Sequence, residues 1–154
     1  MLLAKDIMTR EVITVELSAS VRELSKLLTE RRITGVPVVD SEQRLVGMVS
    51  MRDLIREQVL ALGATPEYHE ISELFSSALY TEESEGMSYK HLWVEEIMSR
   101  DLHTAEESTP IREICDIMCA YRLHRVPILR NGKVIGIVTA TDIIRAISEG
   151  KQIG

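Results

Sequence analysis

The segment LVGMVSMRDLIR, residues 45–56, returns almost intact as VIGIVTATDIIR, residues 134–145. Each version is an apolar run around a glycine, then Ser50 or Thr139, then Asp53 or Asp142 three places later, then another apolar pair. Such a run reads as a strand entering a helix, and Ser/Thr-x-x-Asp is a capping signal in which hydroxyl and carboxylate satisfy the free N–H groups of the first turn. Seen once, the pattern marks a helix start. Seen twice at this length, it points to an internal repeat, which sets the fold before any single element does.

Extended upstream, the repeat holds. DIMTREVITVELSASVRELSKLLTERRITGVPVVD from Asp6 aligns with EIMSRDLHTAEESTPIREICDIMCAYRLHRVPILR from Glu96 at an offset of 90, and the quoted segments align at 89. The lost residue falls where DSEQR is replaced by RNGK, a turn, where length changes are tolerated. Ile7, Met8, Arg22, Glu23, Val36, Pro37, Gly47, Val49, Asp53 and Arg56 all recur.

Both copies carry one order of elements. EVITVE alternates like a short strand, and Val21, Leu24, Leu27 and Leu28 make a helical stripe mirrored by Ile111, Ile114, Ile117 and Met118. Ser20 and Glu23 have capping-box spacing, and Thr109 before Pro110 reads as an N-cap with proline in the first turn. GVPVVD and LVGMVS are β-branched runs joined by a polar turn, and Asn131-Gly132 marks the equivalent hairpin. A final helix follows from Asp53 or Asp142, and short helical KDIM and VEEIM segments precede the copies. The unit is β-α-β-β-α. A unit of roughly 55 residues buries too little surface to be stable alone. The expected fold is therefore α/β (α+β), with two repeats packed through their sheets about a pseudo-twofold axis and helices outside. The boundaries are 1–59 for the first repeat, 60–93 for a helical insertion and 94–150 for the second repeat. The insertion is expected to hold a helix from Thr65-Pro66 with the stripe Ile71, Leu74, Phe75, Ala78, Leu79, while His69, His91 and Trp93 read as structural or surface residues.

Bulk properties narrow the function classes. The 154 residues are 45% apolar and 27% charged with a net charge of -6, the profile of a globular protein without the positive field that would draw in nucleic acid or an anionic membrane. No apolar stretch approaches the roughly 20 residues of a membrane span, and the opening segment lacks a signal-peptide core, so the expected compartment is the cytoplasm. Cys115 and Cys119, four apart on a helical pattern, read as small packing residues. There is no P-loop, nucleophile elbow, His-x-x-x-His pair or carboxylate cluster suited to two metals, so an enzyme is not expected.

Taken together, IM(T/S) opening each copy, VPVV and VPIL at the second strand, and GMVSMRD and GIVTATD entering the last helix resemble the CBS domain family. The pair is similar to a Bateman module, and the resemblance covers both repeats outside residues 60–93. It implies a regulatory module for adenosine-containing ligands: AMP, ADP, ATP, S-adenosylmethionine or an adenine dinucleotide. By the family's pattern, Asp142 and Asp53 would take ribose hydroxyls, and Thr139 and Ser50 would meet phosphate, with Thr141 adding a hydroxyl. His124 and Arg125 match the His-Arg pair that some AMP-sensing members place against phosphate; Thr34 and Gly35 stand there in the first copy, where Arg52 is the substitute cation. The resemblance also implies that the opening segment of one copy completes the site of the other. Met8 and Ile13 would then meet adenine beside Asp142, and His103 beside Asp53, with Ile137 and Met48 as apolar walls. A homodimeric disc acting on an unidentified regulated protein is the expected assembly. The competing reading is a structural dimerisation module with vestigial clefts, in which Thr-x-x-Asp is a cap and nothing more.

Overall fold

The computed structural model describes residues 1–61 and 92–153. The expected 65–79 helix, His69 and His91 lie outside the described residues.

In chain order the elements are α1 (Ala4–Ile7), β1 (Val15–Glu16), α2 (Val21–Arg31), β2 (Gly35–Val39), β3 (Leu45–Ser50), α3 (Met51–Ala61), α4 (Val94–Ile97), β4 (Ala105–Glu106), α5 (Ile111–Tyr121), β5 (Arg125–Arg130), β6 (Lys133–Thr139) and α6 (Ala140–Ser148). The strands form two three-stranded sheets ordered β1-β2-β3 and β4-β5-β6, the mixed class expected from the repeat. β4 runs parallel to β5, so α5 is the crossover that parallel pairing requires, and β5 turns back antiparallel into β6.

The turns show how different residues reach one end. Asn131 and Gly132 both have positive φ, 52° and 76°, the backbone of a two-residue hairpin turn that matches strand twist. The first copy has no such pair. There the Asp40 carboxylate accepts from the Glu42 and Arg44 N–H groups at 2.9 Å, and the aspartate holds the turn in their place.

Capping follows the sequence at one helix and departs from it at another. Ser20 and Glu23 close a reciprocal box on α2, with Ser20 N–H donating to Glu23 at 2.7 Å and Glu23 N–H to the Ser20 hydroxyl at 3.1 Å. Thr109, expected to cap α5, does not: its hydroxyl accepts from Glu106 N–H at 3.0 Å, closing the preceding turn, and Pro110 occupies the cap position. EVITVE yields only the two residues Val15–Glu16 as strand. The last helices begin two residues before their aspartates, which lie inside the first turn.

The chain divides into two compact units whose boundaries cut across the repeats. One holds Met1–Thr14, Val39–Leu45 and Asp101–Gly154; the other holds Val15–Val38 and Val46–Arg100. The opening helix α1 thus belongs with the second repeat. Ala4 N–H donates to Thr109 O at 2.8 Å, and Ile111 N–H to Leu2 O at 2.9 Å. Ala4 and Met8 are buried in one core with Ile111, Ile114, Met118, Val126, Ile128, Val138 and Ile143. In the other unit Val21, Leu24, Leu28, Val36, Val38 and Val49 are buried, as are Val94, Ile97 and Met98 from the start of the second repeat.

Candidate functional site

Among the described residues Asp53 and Asp142 are the buried charged side chains, 8% and 7% exposed. Each sits in the first turn of a last helix, where unpaired N–H groups and the positive end of the dipole favour a carboxylate. Their surroundings can be followed donor by donor.

At α6, Thr139 N–H donates to Asp142 Oδ2 at 2.8 Å, the Thr139 hydroxyl donates to the same oxygen at 2.7 Å, and Asp142 N–H returns a 3.3 Å bond to that hydroxyl. Ala140 N–H donates to His124 O at 3.0 Å. Of the four N–H groups from Thr139 to Asp142, only that of Thr141 lacks an acceptor among the described residues. Oδ2 is therefore saturated by the cap. Oδ1 faces the exposed Arg145 guanidinium at 3.6 Å, beyond hydrogen-bond reach.

The cap alone accounts for Thr139, yet the flanking groups converge on it. Arg125 lies directly opposite Thr139 in the β5–β6 ladder. Arg125 is half-buried, and that burial pulls its pKa below the usual arginine value while leaving a guanidinium charged at neutral pH. His124 is exposed and contributes its carbonyl; Thr141 is exposed at the helix start. On the other edge of β6, Thr9 and Ile137 exchange bonds of 2.9 and 3.0 Å, which brings the IMT motif alongside. A Cβ on Gly136 would collide with Met8 Sδ, so the recurrent glycine admits the recurrent methionine. Met8, Ile137 and Ile13 belong to the same unit as Asp142, Met8 buried and the other two half-buried.

The second constellation repeats this plan. Ser50 N–H and hydroxyl donate to Asp53 Oδ2 at 2.8 and 3.2 Å, and Met51 N–H donates to Thr34 O at 2.9 Å. Met48 and Ser99 exchange bonds of 2.9 and 2.8 Å, and Gly47 admits Met98 as Gly136 admits Met8. Thr34 and Arg52 are exposed. One placement differs from its counterpart: Asp53 Oδ1 meets Arg56 at 3.1 Å. His103 lies in the unit of Asp142, stacked on Tyr121 with ring centroids 3.7 Å apart.

Sequence reasoning did not assign roles to Thr9, Ser99, Arg56 or Arg145. All four recur between the copies, which was the available signal. The packing expectation for the cysteines also needs correction: Cys115 is half-buried against the core, but Cys119 is exposed, because the α5 stripe turns away from it. Among the described residues no group of three or more His, Cys, Asp or Glu is placed to hold a metal ion, and no helix is long and apolar enough to cross a membrane.

Comparison with known proteins bears on these constellations. The CBS domain family model matches residues 4–60 and 94–149. L-aspartate semialdehyde sulfurtransferase of Methanocaldococcus jannaschii is 27% identical over 144 residues, which are 93% of this chain and 23% of that protein. Two solved structures cover nearly all of both chains. The CBS domain pair of protein MJ0100, in complex with 5′-methylthioadenosine and S-adenosyl-L-methionine, has a TM-score of 0.69 at 27% identity, covering 97% of this chain and 98% of that one. CBSX2 in complex with AMP has a TM-score of 0.71 at 28% identity, again covering 97% and 98%. The chain spans less than two thirds of the length of the curated relatives it matches, 23% in the case just given and 61% in CBSX1 of Arabidopsis thaliana.

Proposed function

The chain belongs to the CBS domain family, and from that premise we propose that it is a non-enzymatic regulatory module that binds an adenosine-containing ligand at Thr139–Asp142, with a second, weaker site at Ser50–Asp53. The observation that carries this reading is the divided use of the Asp142 carboxylate. Oδ2 is consumed by the cap, while Oδ1 is held 3.6 Å from an exposed arginine. A buried carboxylate oxygen with spare acceptor capacity suits the vicinal hydroxyls of a ribose.

Thr139 takes a different part from the one the family pattern assigns to its hydroxyl. That group already donates to Asp142 and accepts from its N–H, so it cannot also donate to phosphate without breaking the cap. The unpaired Thr141 N–H, the Thr141 hydroxyl, the α6 dipole and Arg125 supply what an anionic tail needs. Adenine would rest on the Met8–Ile13 segment and Ile137. At the other site Thr34 and Gly35 replace His124 and Arg125, leaving Arg52 as the cation, so an anionic ligand binds there more weakly. Support comes from relatives of similar sequence and fold whose structures hold AMP, or S-adenosylmethionine and methylthioadenosine. Regulation follows if the ligand binds two states of the module, or of a homodimer of it, with different affinity, and passes the difference to a partner protein.

A thermal-shift panel of AMP, ADP, ATP, S-adenosylmethionine and GTP on wild type and Asp142→Ala tests the reading. A ligand at 100 times its Kd stabilises by about 2.7 kcal/mol, a rise of roughly 5 to 10 °C for a chain of this size. An adenosine ligand giving that shift in wild type alone supports the site. No shift with any of them leaves Thr-x-x-Asp as a cap and favours a dimerisation module with vestigial sites.

A further inference from the structure

The two aspartates are held alike through Oδ2 and differently through Oδ1. The Arg145 guanidinium stands 3.6 Å from Asp142 Oδ1 and makes no other ion pair or hydrogen bond among the described residues. Arg56 is anchored twice: one terminal guanidinium nitrogen lies 3.1 Å from Asp53 Oδ1 and 3.3 Å from the carbonyl of Ile97, while its Nε lies 3.9 Å from Glu57. Ile97 is the last residue of α4, where the helix leaves its carbonyls without intrahelical donors. That terminal nitrogen of Arg56 carries two N–H groups, enough to face the carboxylate and the carbonyl together.

We infer that Arg56 is a latch on the second site, a positioning residue that occupies the ribose-accepting oxygen of Asp53 and ties it to the opening helix of the other repeat. The inference rests on the ligand reading above and adds a regulatory element to it. A diol donating two hydrogen bonds to Asp53 Oδ1 has to displace Arg56, because Oδ2 already accepts two bonds from Ser50. Displacement frees the Ile97 carbonyl and loosens the hold of α3 on α4. Occupancy of the second site and attachment of the opening helix therefore oppose each other. The first site lacks this linkage, since Arg145 does not reach the carbonyl of Ile7, the counterpart of Ile97.

The test uses the full chain with Asp142→Asn, which silences the first site, and adenosine as probe, because it carries the ribose without phosphate and so removes general charge effects. Calorimetric titration compares Arg56 with Arg56→Gln and Arg56→Lys on that background. The Arg56 side chain is 54% exposed, and solvent screening weakens its hold on the buried Asp53, so Arg56→Gln is expected to tighten adenosine binding about threefold and Arg56→Lys to give a smaller gain. Amide exchange at Met98 and Ser99 should quicken in Arg56→Gln without ligand. Equal or weaker adenosine binding in both variants overturns the latch. Should Arg56→Gln fail to fold, Arg56→Lys alone decides by the same criterion. Parallel titration of the Arg56 and Asp142 wild type with adenosine and AMP separates the two levels: binding there with flat Arg56 variants defeats the latch alone, whereas no binding anywhere defeats the ligand reading and the latch with it.

Discussion

Gly136→Ala puts the exchanged opening segment to the test. A Cβ at this position would collide with Met8 Sδ and lie 2.9 Å from Met8 Cγ and 3.3 Å from its Cβ, so moving the end of the methionine is not enough. Overpacking of this sort costs about 1–3 kcal/mol. Removing the buried Met8 side chain instead leaves a cavity, and Met8→Ala costs about 2–4 kcal/mol. In the double variant the new methyl enters the vacated space, so the combined loss should fall short of the sum by about 1–2 kcal/mol. Urea unfolding of the four proteins, read by circular dichroism, closes the cycle; the single glycine variant should also melt roughly 3–9 °C lower. The same cycle at Met98 and Gly47 should show coupling of like sign, since the geometry is repeated there. Additive losses within about 0.3 kcal/mol would mean that Met8 and Gly136 do not meet, and would refute the assignment of α1 to the second repeat's core.

Other outcomes follow from the same structure. Glu23 is held below the ordinary carboxylate range by the Ser20 backbone N–H and then its hydroxyl, Asp40 by the Arg44 N–H, and Glu107 by hydrogen bonds from the Arg130 guanidinium. These carboxylates stabilise the fold above their unfolded pKa, about 4, and lose that contribution as pH falls through the folded values. The urea midpoint should stay level from pH 7 to about 5 and drop between about 5 and 3; a midpoint that rises on acidification contradicts this. Burial, and next the charges of Cys119 and Asp116, push the Cys115 thiol up, whereas Cys119 is exposed. Maleimide labelling followed by peptide mass spectrometry should find Cys119 modified well before Cys115 under native conditions, with the difference vanishing in urea. Ser20→Ala removes the cap of α2 and should cost about 1 kcal/mol in the same unfolding assay, with Ser20→Thr restoring most of it.

Much of the architecture was legible because the chain is written twice. One copy of LVGMVSMRDLIR signals a strand and a helix, but the second copy turns each local guess into a comparison. The Ser20–Glu23 box, the Asn131-Gly132 hairpin and the apolar stripes are local features whose physics lies within a few residues, and the structure carries them as read. Thr109 was misread because two turns competed for one hydroxyl, and the Glu106 N–H took it. EVITVE alternates over six residues, but alternation reports which side chains share a face and not whether a neighbouring strand is there to pair with. Arg56 and Arg145 went unassigned for a similar reason. Their partners are a carboxylate three residues back and, for Arg56, a carbonyl 41 positions away, and no pattern of residue types distinguishes the 3.1 Å ion pair from the 3.6 Å one. The candidate site was legible as residues and not as a division of labour. Which carboxylate oxygen the cap occupies, and which it leaves with spare acceptor capacity, is a distinction that residue types do not express.

The central claim is that the Asp142 carboxylate serves cap and ligand at once, and a crystal structure of the chain grown with AMP or S-adenosylmethionine tests it most directly. The account predicts ribose hydroxyls within hydrogen-bond distance of Asp142 Oδ1, the Thr139–Asp142 cap intact through Oδ2, and the anionic tail against Thr141 N–H and Arg125. A ligand bound elsewhere, or one whose ribose leaves Asp142 untouched, would contradict it.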